Sequence, residues 1–299
     1  MSLPDLPELL ALRATAKGLS LEARRAARSV ALGAHHSAQR GRGLEFQEVR
    51  QYVAGDDPRT IDWRVTARRG RPHTKVFREE RERPVWLLVD LNPGLYFGTR
   101  RQLKSAVVVR AAALLAWVAA LGGDRVGAVV AGAAEMRILP PRGREAGVLP
   151  LLGMLFDLQP RAPAPPAPRA LERALQQLLP LARPGSLVLV FSDFAELGAS
   201  ARDAWSALAA HTSCRLYWVC DPLEERGLPD GRFRAGLPEQ LRRLDGMRVR
   251  EPWRELWRRR TAQIETLSER IAAPVTRLTT SEAVEQRLGA ELERAGARA

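Results

Sequence analysis

The sequence predicts an α/β fold with a doubly wound, mainly parallel sheet of the Rossmann type, preceded by an N-terminal helix and a small β-rich extension. From Pro84 onward, apolar strands alternate with helices, which is the pattern of a parallel sheet covered on both faces. The segments 84–90 and 186–193 are apolar almost throughout and end in an acid, as expected of strands buried on both faces. Ligands of such sheets collect at the carboxyl ends of the strands, so we expect any functional site there.

Residues 1–83 are predicted to form the N-terminal helix and the β-rich region. Apolar residues at helical spacing predict a helix from Pro7 to about Ala34. An imperfect alternating pattern starts at Leu44 and ends at a turn-forming Gly-Asp-Asp-Pro run, residues 55–58. Residues 71–83 predict a second strand, with alternating charges exposed on one face.

Residues 84–299 are predicted to form the second domain. A proline-rich linker, residues 159–170, is interpreted as an extended spacer. The predicted elements in chain order are a strand at 84–90, a helix at 102–121, a strand with a hairpin partner at 124–140, helices at 147–158 and 169–181, a strand at 186–193, a helix at 201–210, a strand at 215–220, a hairpin at 231–236, a helix at 251–272, a strand at 274–278 and a helix at 281–295.

The formal charge of +13 invites a nucleic-acid interpretation. Nearly all the basic residues are arginine, since Lys17, Lys75 and Lys104 are the only lysines. These arginines are interleaved with acids along the whole chain, which favours a solvated, salt-bridged surface over the clustered basic face of a nucleic-acid-binding protein. Nucleic acid is therefore an unlikely partner on composition.

Cysteine usage and apolar run lengths predict a reduced, cytoplasmic protein. Cys214 and Cys220 lie in one apolar run, and a strand would separate them by about 20 Å, beyond the ~7 Å limit for a disulfide. The N-terminus has early acids and no long apolar core, so no signal peptide is predicted. The most apolar stretch, 111–123, is shorter than the ~20 residues of a membrane-spanning helix, and no span is predicted.

The nonapeptide Gly-Asp-Asp-Pro-Arg-Thr-Ile-Asp-Trp, residues 55–63, is the least ordinary stretch of the chain. Asp57 precedes Pro58 and is suited to cap a short helical turn. Arg59 and Asp62 lie three residues apart, close enough to pair. Two interpretations remain open: a capped turn locked by packing of Trp63, or a binding surface.

Three acids are predicted to lie at the carboxyl ends of apolar strands: Asp90, Asp193 and Asp221. Asp221 precedes Pro222, so a helix cap or turn is the favoured interpretation for it. Asp90 and Asp193 are the better pair for a shared site, because the fold brings strand ends of this kind to one rim.

Beyond these patterns, the segment from Pro84 onward resembles a von Willebrand factor A-like domain. Together with the motif G-x-E-F-x-x-x-R-x-Y-x-x-G-D-D-P-R-x-I-D-W, residues 43–63, the chain resembles a bacterial family of unknown function, domain of unknown function fifty-eight, which is associated with MoxR-type AAA+ ATPases. The resemblance implies no known catalysis and a role beside an AAA+ partner. Its motif residues here are Arg50, Tyr52, Gly55, Asp56, Asp57, Arg59, Asp62 and Trp63.

The resemblance also implies a rim that holds a divalent metal through D-x-S-x-S, a later Thr and a later Asp. Asp90 and Asp193 match the two acids, whereas Asn92 and Gly94 replace the two serines. No Ser or Thr occurs between residues 105 and 186, so the Thr ligand is also missing. Mg²⁺ requires near-octahedral oxygen coordination, so we expect a degenerate site at Asp90, Asn92 and Asp193 with weak Mg²⁺ binding at most, and no cofactor.

The leading functional hypothesis is a non-enzymatic adaptor or assembly factor that acts with a MoxR-type AAA+ ATPase and its client protein in complex maturation or a stress response. A metal-assisted hydrolase using Asp90 and Asp193 is one alternative, because a bound divalent ion would generate hydroxide. Non-specific nucleic-acid binding through the basic surface is the other.

Overall fold

A computed structural model of the chain describes residues 2–21, 44–53, 58–79, 82–198 and 201–296. The chain divides into two compact units, one of residues 1–31 with 83–299 and one of residues 32–82. The sequence placed a boundary at 83/84 but grouped the N-terminal helix with the β-rich region. That helix belongs to the larger unit because its buried leucines join the core there.

The smaller unit contains a β-hairpin and a short helix. Strand β1 (Leu44–Gln51) pairs antiparallel with β2 (His73–Glu79), with a bulge between Phe46 and Glu48. Between the strands lie a 3₁₀ turn (Pro58–Thr60) and helix α2 (Trp63–Arg69).

The larger unit is organised around one six-stranded sheet. Its strands are β3 (Pro84–Asp90), β4 (Arg125–Ala131), β5 (Met136–Gly143), β6 (Leu187–Ser192), β7 (Ser213–Cys220) and β10 (Val275–Thr279), and a separate small hairpin consists of β8 (Arg232–Ala235) and β9 (Arg242–Asp245). The strand order in the sheet is β10-β7-β6-β3-β4-β5. All neighbouring strands are parallel except β4 and β5, which form the predicted hairpin. The predicted fold class is therefore confirmed.

Helices cover both faces of the sheet and create two apolar cores. The helices of this unit are α1 (Leu6–Ala16), α3 (Lys104–Leu121), α4 (Glu145–Leu158), α5 (Ala170–Leu178), α6 (Arg202–His211), α7 (Pro222–Arg226), α8 (Gly246–Arg270) and α9 (Val284–Gly296). Residues of α1, α3, α4 and α9 pack in one core, and residues of α5, α6 and α8 pack in the other.

Helix α3 is the central helix of the first core. It is 18 residues long, and of the helices that the structure describes it alone is long and apolar enough to cross a membrane. That span exceeds the apolar stretch recognised in the sequence. However, 83% of it is buried inside the protein, where it contacts α1, α4, α9 and the sheet, as the core helix of a sheet protein does.

Two predicted helix ends differ from the structure. α1 ends at Ala16 rather than near Ala34, with Gly18 in the left-handed region at φ 84°; residues 22–43 lie outside the described part of the chain. α8 begins at Gly246 instead of residue 251, because the side chain of Asp245 caps it by accepting hydrogen bonds from two backbone N–H groups.

Candidate functional site

The candidate site lies at the carboxyl ends of β3 and β6, where the strand order reverses. Asp90 is the last residue of β3, and Asp193 directly follows β6. These two strands are parallel neighbours, and the charge of Asp193 acts on Asp90. The expectation that the fold brings these two acids to one rim is confirmed.

Asp90 is buried and accepts hydrogen bonds on both carboxylate oxygens. Its Oδ1 accepts from the backbone N–H of Asn92 at 3.1 Å and from the Asn92 amide at 2.9 Å, and its Oδ2 accepts from Ser192 Oγ at 2.8 Å. Burial, together with the nearby charge of Asp193, raises the pKa of Asp90 from 3.8 to about 6, although these hydrogen bonds oppose the shift.

Asp90→Asn is expected to remove a pH dependence of stability. Between pH 3.8 and about 6 the unfolded chain releases the proton of Asp90 that the folded protein keeps, so the folded protein loses stability as the pH rises through that window. The slope is at most ~1.4 kcal/mol per pH unit. Urea unfolding of both proteins across the window measures it, with Asp157→Asn at an exposed position as the control. Equal slopes for wild type and Asp90→Asn would contradict the prediction.

Asp193 begins a buried chain of alternating charges. Lys104, the first residue of α3, donates to Asp193 Oδ2 at 2.6 Å and to Glu224 Oε1 at 3.0 Å, and Arg260 Nη1 donates to the same Glu224 oxygen at 3.2 Å. Burial opposes ionisation of both Asp193 and Lys104. Their attraction outweighs it, so the pKa of Asp193 is lowered and that of Lys104 is raised.

The oxygens of this rim do not fit a divalent metal of the A-domain type. Both oxygens of Asp90 accept internal hydrogen bonds, those of Asp193 accept from Lys104 and the Ala195 N–H, and Asn92 Oδ1 accepts from the Gly94 N–H at 2.8 Å. In the part of the chain that the structure describes, no three His, Cys, Asp or Glu residues are grouped as metal ligands. The donor set therefore does not fit the ion on which the hydrolase alternative depends.

Asn92 and Gly94, which replace the two serines of D-x-S-x-S, depend on each other sterically. A Cβ on Gly94 would lie 2.9 Å from Asn92 Oδ1 and 3.4 Å from Pro166 Cβ. A Ser at position 94 is therefore incompatible with the Asn92 side chain as it stands. Although the Thr of the motif is missing, the fold brings a hydroxyl, that of Ser192, to Asp90.

Asp221 is the third acid of the rim, and its predicted capping role is confirmed. Its Oδ1 accepts from the Leu223 N–H at 2.8 Å, while its own N–H donates to Glu224 Oε2 at 2.8 Å, which completes a capping box on α7. Asp221 also accepts from the Thr99 N–H at 2.7 Å and from the hydroxyls of Thr99 and Thr280. It therefore joins α7 to the segment that precedes α3.

A cavity of about 340 Å³ opens over this rim. Its polar floor includes Asp90, Ser192, Asp193 and Lys104, and Trp253 contributes an apolar wall. The site therefore combines buried charges with space for a group from outside the chain.

The predicted motif residues lie in the smaller unit. Asp62 caps α2, because its side chain accepts from the N–H groups at the start of that helix at 3.0 and 3.2 Å. The predicted cap of the turn at Pro58, Asp57, lies outside the described residues. Trp63 is 70% exposed, so the interpretation of a turn locked by Trp63 packing is wrong. Arg59 is exposed in the 3₁₀ turn.

The remaining motif residues divide into those at or just after the end of β1 and those outside the described part of the chain. Arg50 is exposed at the end of β1, and the Tyr52 N–H donates to Pro72 O at 2.9 Å. Gly55, Asp56 and Asp57 lie outside the described residues.

Lys104, Glu224, Arg260 and Ser192 were missed as site residues by the sequence analysis. The sequence position of Lys104 could have indicated its role. It is one of few lysines and stands at the start of an apolar helix, and a buried lysine requires a partner. Glu224 carried a second signal, since it stands three residues after the predicted cap Asp221.

The arginines of α8 illustrate the charge pattern predicted for the surface. Arg254, Arg258 and Arg259 form ion pairs with Glu251 and Glu255. The interpretation of interleaved charges as a salt-bridged surface is confirmed for this helix.

Comparison with protein families identifies the chain. The family model described as "Protein of unknown function DUF58" matches residues 48–265, from β1 into α8. The chain belongs to this family. The match confirms the resemblance to domain of unknown function fifty-eight that the motif and the A-like segment predicted.

The DUF58 chain also has relatives among curated proteins. The uncharacterized proteins Mb1516 of Mycobacterium bovis and Rv1480 of Mycobacterium tuberculosis are each 38% identical to it over 135 residues, which is 45% of this chain. The match spans 43% of the length of each relative.

Solved structures with a similar arrangement share little sequence with the DUF58 chain. BatB from Bacteroides thetaiotaomicron is 16% identical with a TM-score of 0.45, over 72% of this chain and 99% of its own. A von Willebrand factor type A protein from Catenulispora acidiphila is 10% identical with a TM-score of 0.40, over 75% of this chain and 43% of its own. The strand order described above, rather than these likenesses, defines the fold.

Proposed function

We propose that this DUF58 protein is a cytoplasmic, non-enzymatic adaptor or assembly factor that acts with a MoxR-type AAA+ ATPase and its client in complex maturation or a stress response. The observation that carries the proposal is the exposure of Trp63, at 70%, inside the family motif. Tryptophan is enriched at the centres of protein–protein interfaces, where it supplies a large apolar contact.

The backbone around Trp63 is held in place by hydrogen bonds. Asp62 caps α2, and its N–H donates to His73 O on β2 at 2.8 Å. The His73 N–H donates to Thr66 Oγ1 at 3.0 Å, and Gly70, with φ 69°, caps the carboxyl end of α2. A preordered site of this kind loses less conformational entropy when a partner binds, which supports a contact role.

The rim of the larger unit supports the non-enzymatic part of the proposal. Asp90, Asp193 and Asp221 accept hydrogen bonds from other groups of the protein. These bonds give each carboxylate a structural role that requires no substrate.

Trp63→Ala is expected to weaken capture of the MoxR-type ATPase of the same genome by about 30-fold in Kd, the equivalent of ~2 kcal/mol for an interface hot spot. Pull-down followed by a titration measures this loss. Met247→Ala is the matched control, because Met247 is 69% exposed but lies on α8, outside the motif. Arg59→Ala and Asp57→Ala extend the test along the motif.

Two outcomes would contradict the proposal. One is the absence of enrichment of the ATPase by the wild-type protein over a blank resin. The other is unchanged ATPase binding by Trp63→Ala together with weaker ATPase binding by Met247→Ala, which would place the contact on α8.

A further inference from the structure

We infer that Lys104 supplies, as a fixed ammonium, the positive charge that a divalent ion would supply at a rim of this architecture. The rim is thereby independent of divalent cations, and removal of the ammonium creates a site for one. This inference concerns the larger unit and does not depend on Trp63 or on the proposed partner.

The charged side chains on the rim form a continuous series of ion pairs in which negative and positive charges alternate. Lys104 lies between two carboxylates, 2.6 Å from Asp193 and 3.0 Å from Glu224, and Arg260 closes the series on Glu224. The side chains of Lys104 and Asp193 are only 3% and 7% exposed. Carboxylates buried to this degree require a cation, and in this chain the cation is covalently part of the protein.

The ammonium is positioned by the backbone that precedes it. The Lys104 N–H donates to Phe97 O at 2.7 Å, and Lys104 Nζ lies 5.7 Å from the centre of the Phe97 ring. Between them, Thr99 is bound to Asp221 through its N–H and its hydroxyl. The segment from Phe97 to Lys104 is therefore held by hydrogen bonds at Thr99 and at Lys104, which restrict the position of the Lys104 ammonium.

The groups left without Lys104 would be oxygen donors. Asp193 and Glu224, the two carboxylates that accept from Lys104, both line the cavity of about 340 Å³. Carboxylate and hydroxyl oxygens are ligands that Mg²⁺ and Mn²⁺ prefer. Replacing Lys104 by a small neutral residue leaves net negative charge and space at one point.

The decisive experiment compares Mn²⁺ binding by wild type, Lys104→Ser and the double variant Lys104→Ser/Asp193→Asn. Free Mn²⁺ is measured by electron paramagnetic resonance, and Tm is measured over the same titration. We expect wild type to show no Tm shift with Mn²⁺ or Mg²⁺ at millimolar concentration. Lys104→Ser is expected to gain stoichiometric binding and a Tm that rises with Mn²⁺, and the double variant is expected to lose both.

Two results would overturn the inference. The first is stoichiometric Mn²⁺ binding by wild type that Asp193→Asn abolishes. The second is a Lys104→Ser variant that binds no more Mn²⁺ than wild type. If Lys104→Ser does not fold, the same titration is made on Lys104→Gln, which removes the positive charge and keeps every carboxylate, and absence of Mn²⁺ binding there overturns the inference equally.

Discussion

Lys104→Met is expected to lower the free energy of unfolding by about 3–5 kcal/mol at neutral pH, the usual effect of removing one partner of a buried ion pair. Methionine retains the apolar length of the side chain, so the loss isolates the charge. Asp193 is left buried with no cation in contact, while Glu224 keeps Arg260. Urea unfolding monitored by circular dichroism measures the change.

The pH dependence of the free energy lost in Lys104→Met distinguishes two causes: an unpaired, buried Asp193 carboxylate and poor packing. Burial alone raises the pKa of Asp193, so without Lys104 this carboxyl takes up a proton more readily and the loss shrinks as the solution is acidified. Adding Asp193→Asn to the variant should recover much of the stability at neutral pH.

Arg137→Met is the control for the loss of a cation, because Arg137 pairs with Glu135 and Asp157 at an exposed position where ion pairs contribute little. A pH-independent loss in Lys104→Met, with no rescue by Asp193→Asn, would contradict the assignment of a stabilising role to the ion pair.

The central sheet could be predicted because each of its strands is marked by a continuous apolar run, which is a local feature of the sequence. Runs such as 85–89 are apolar throughout, and burial on both faces of a parallel sheet is the arrangement that fits them. Once alternation with helices fixes a parallel order, the acids at the ends of β3 and β6 must lie on one rim. The meeting of Asp90 and Asp193 followed from the fold class alone.

The charge chain at the rim could not be predicted in the same way. Lys104 lies 89 residues from Asp193 and 120 from Glu224 in sequence, so their contacts depend on how α3 and α7 are placed on the sheet. Hydrophobic periodicity carries no information on such pairs. The sequence shows only that a lysine opens an apolar helix and requires a partner.

The misjudged packing of Trp63 has a different cause. Aromatic side chains are usually buried for their large apolar area, and a turn locked by Trp63 would require that burial. However, α2 has only seven residues and none of them is buried. Among the residues of this unit that the structure describes, a short helix and a two-stranded hairpin offer no second layer on which the Trp63 side chain can pack. The general preference of aromatic side chains for burial therefore fails here.

Asp221→Ala is expected to cost about 3 kcal/mol, since it removes a helix cap (~1 kcal/mol) and leaves the buried Thr280 hydroxyl without its acceptor (~1–3 kcal/mol). Asp221 is fully buried and accepts from Leu223, Thr99 and Thr280. The matched control is Asp245→Ala, which removes only the cap of α8 and is expected to cost ~1 kcal/mol.

The pH behaviour of Asp221→Ala is expected to differ from that of Lys104→Met at mildly acidic pH. Burial opposes ionisation of Asp221, but hydrogen bonds from Thr280 and Thr99 outweigh it and hold its pKa below the ordinary 3.8. Its contribution is therefore present above that pH and is lost only as the pH falls through its lower folded pKa. Between mildly acidic and neutral pH the loss should be constant.

Asp221 accepts hydrogen bonds from Thr99, in the segment that leads to Lys104. Removal of the Asp221 carboxylate should therefore also make this segment, and with it Lys104, more mobile. Amide hydrogen exchange in Asp221→Ala is expected to speed up at Thr99 and Lys104, whose N–H groups donate to Asp221 and Phe97 in the intact protein. Asp245→Ala should leave these amides protected. Unchanged exchange at both positions in Asp221→Ala would show that the segment is held by its packing, and that the acid serves α7 alone.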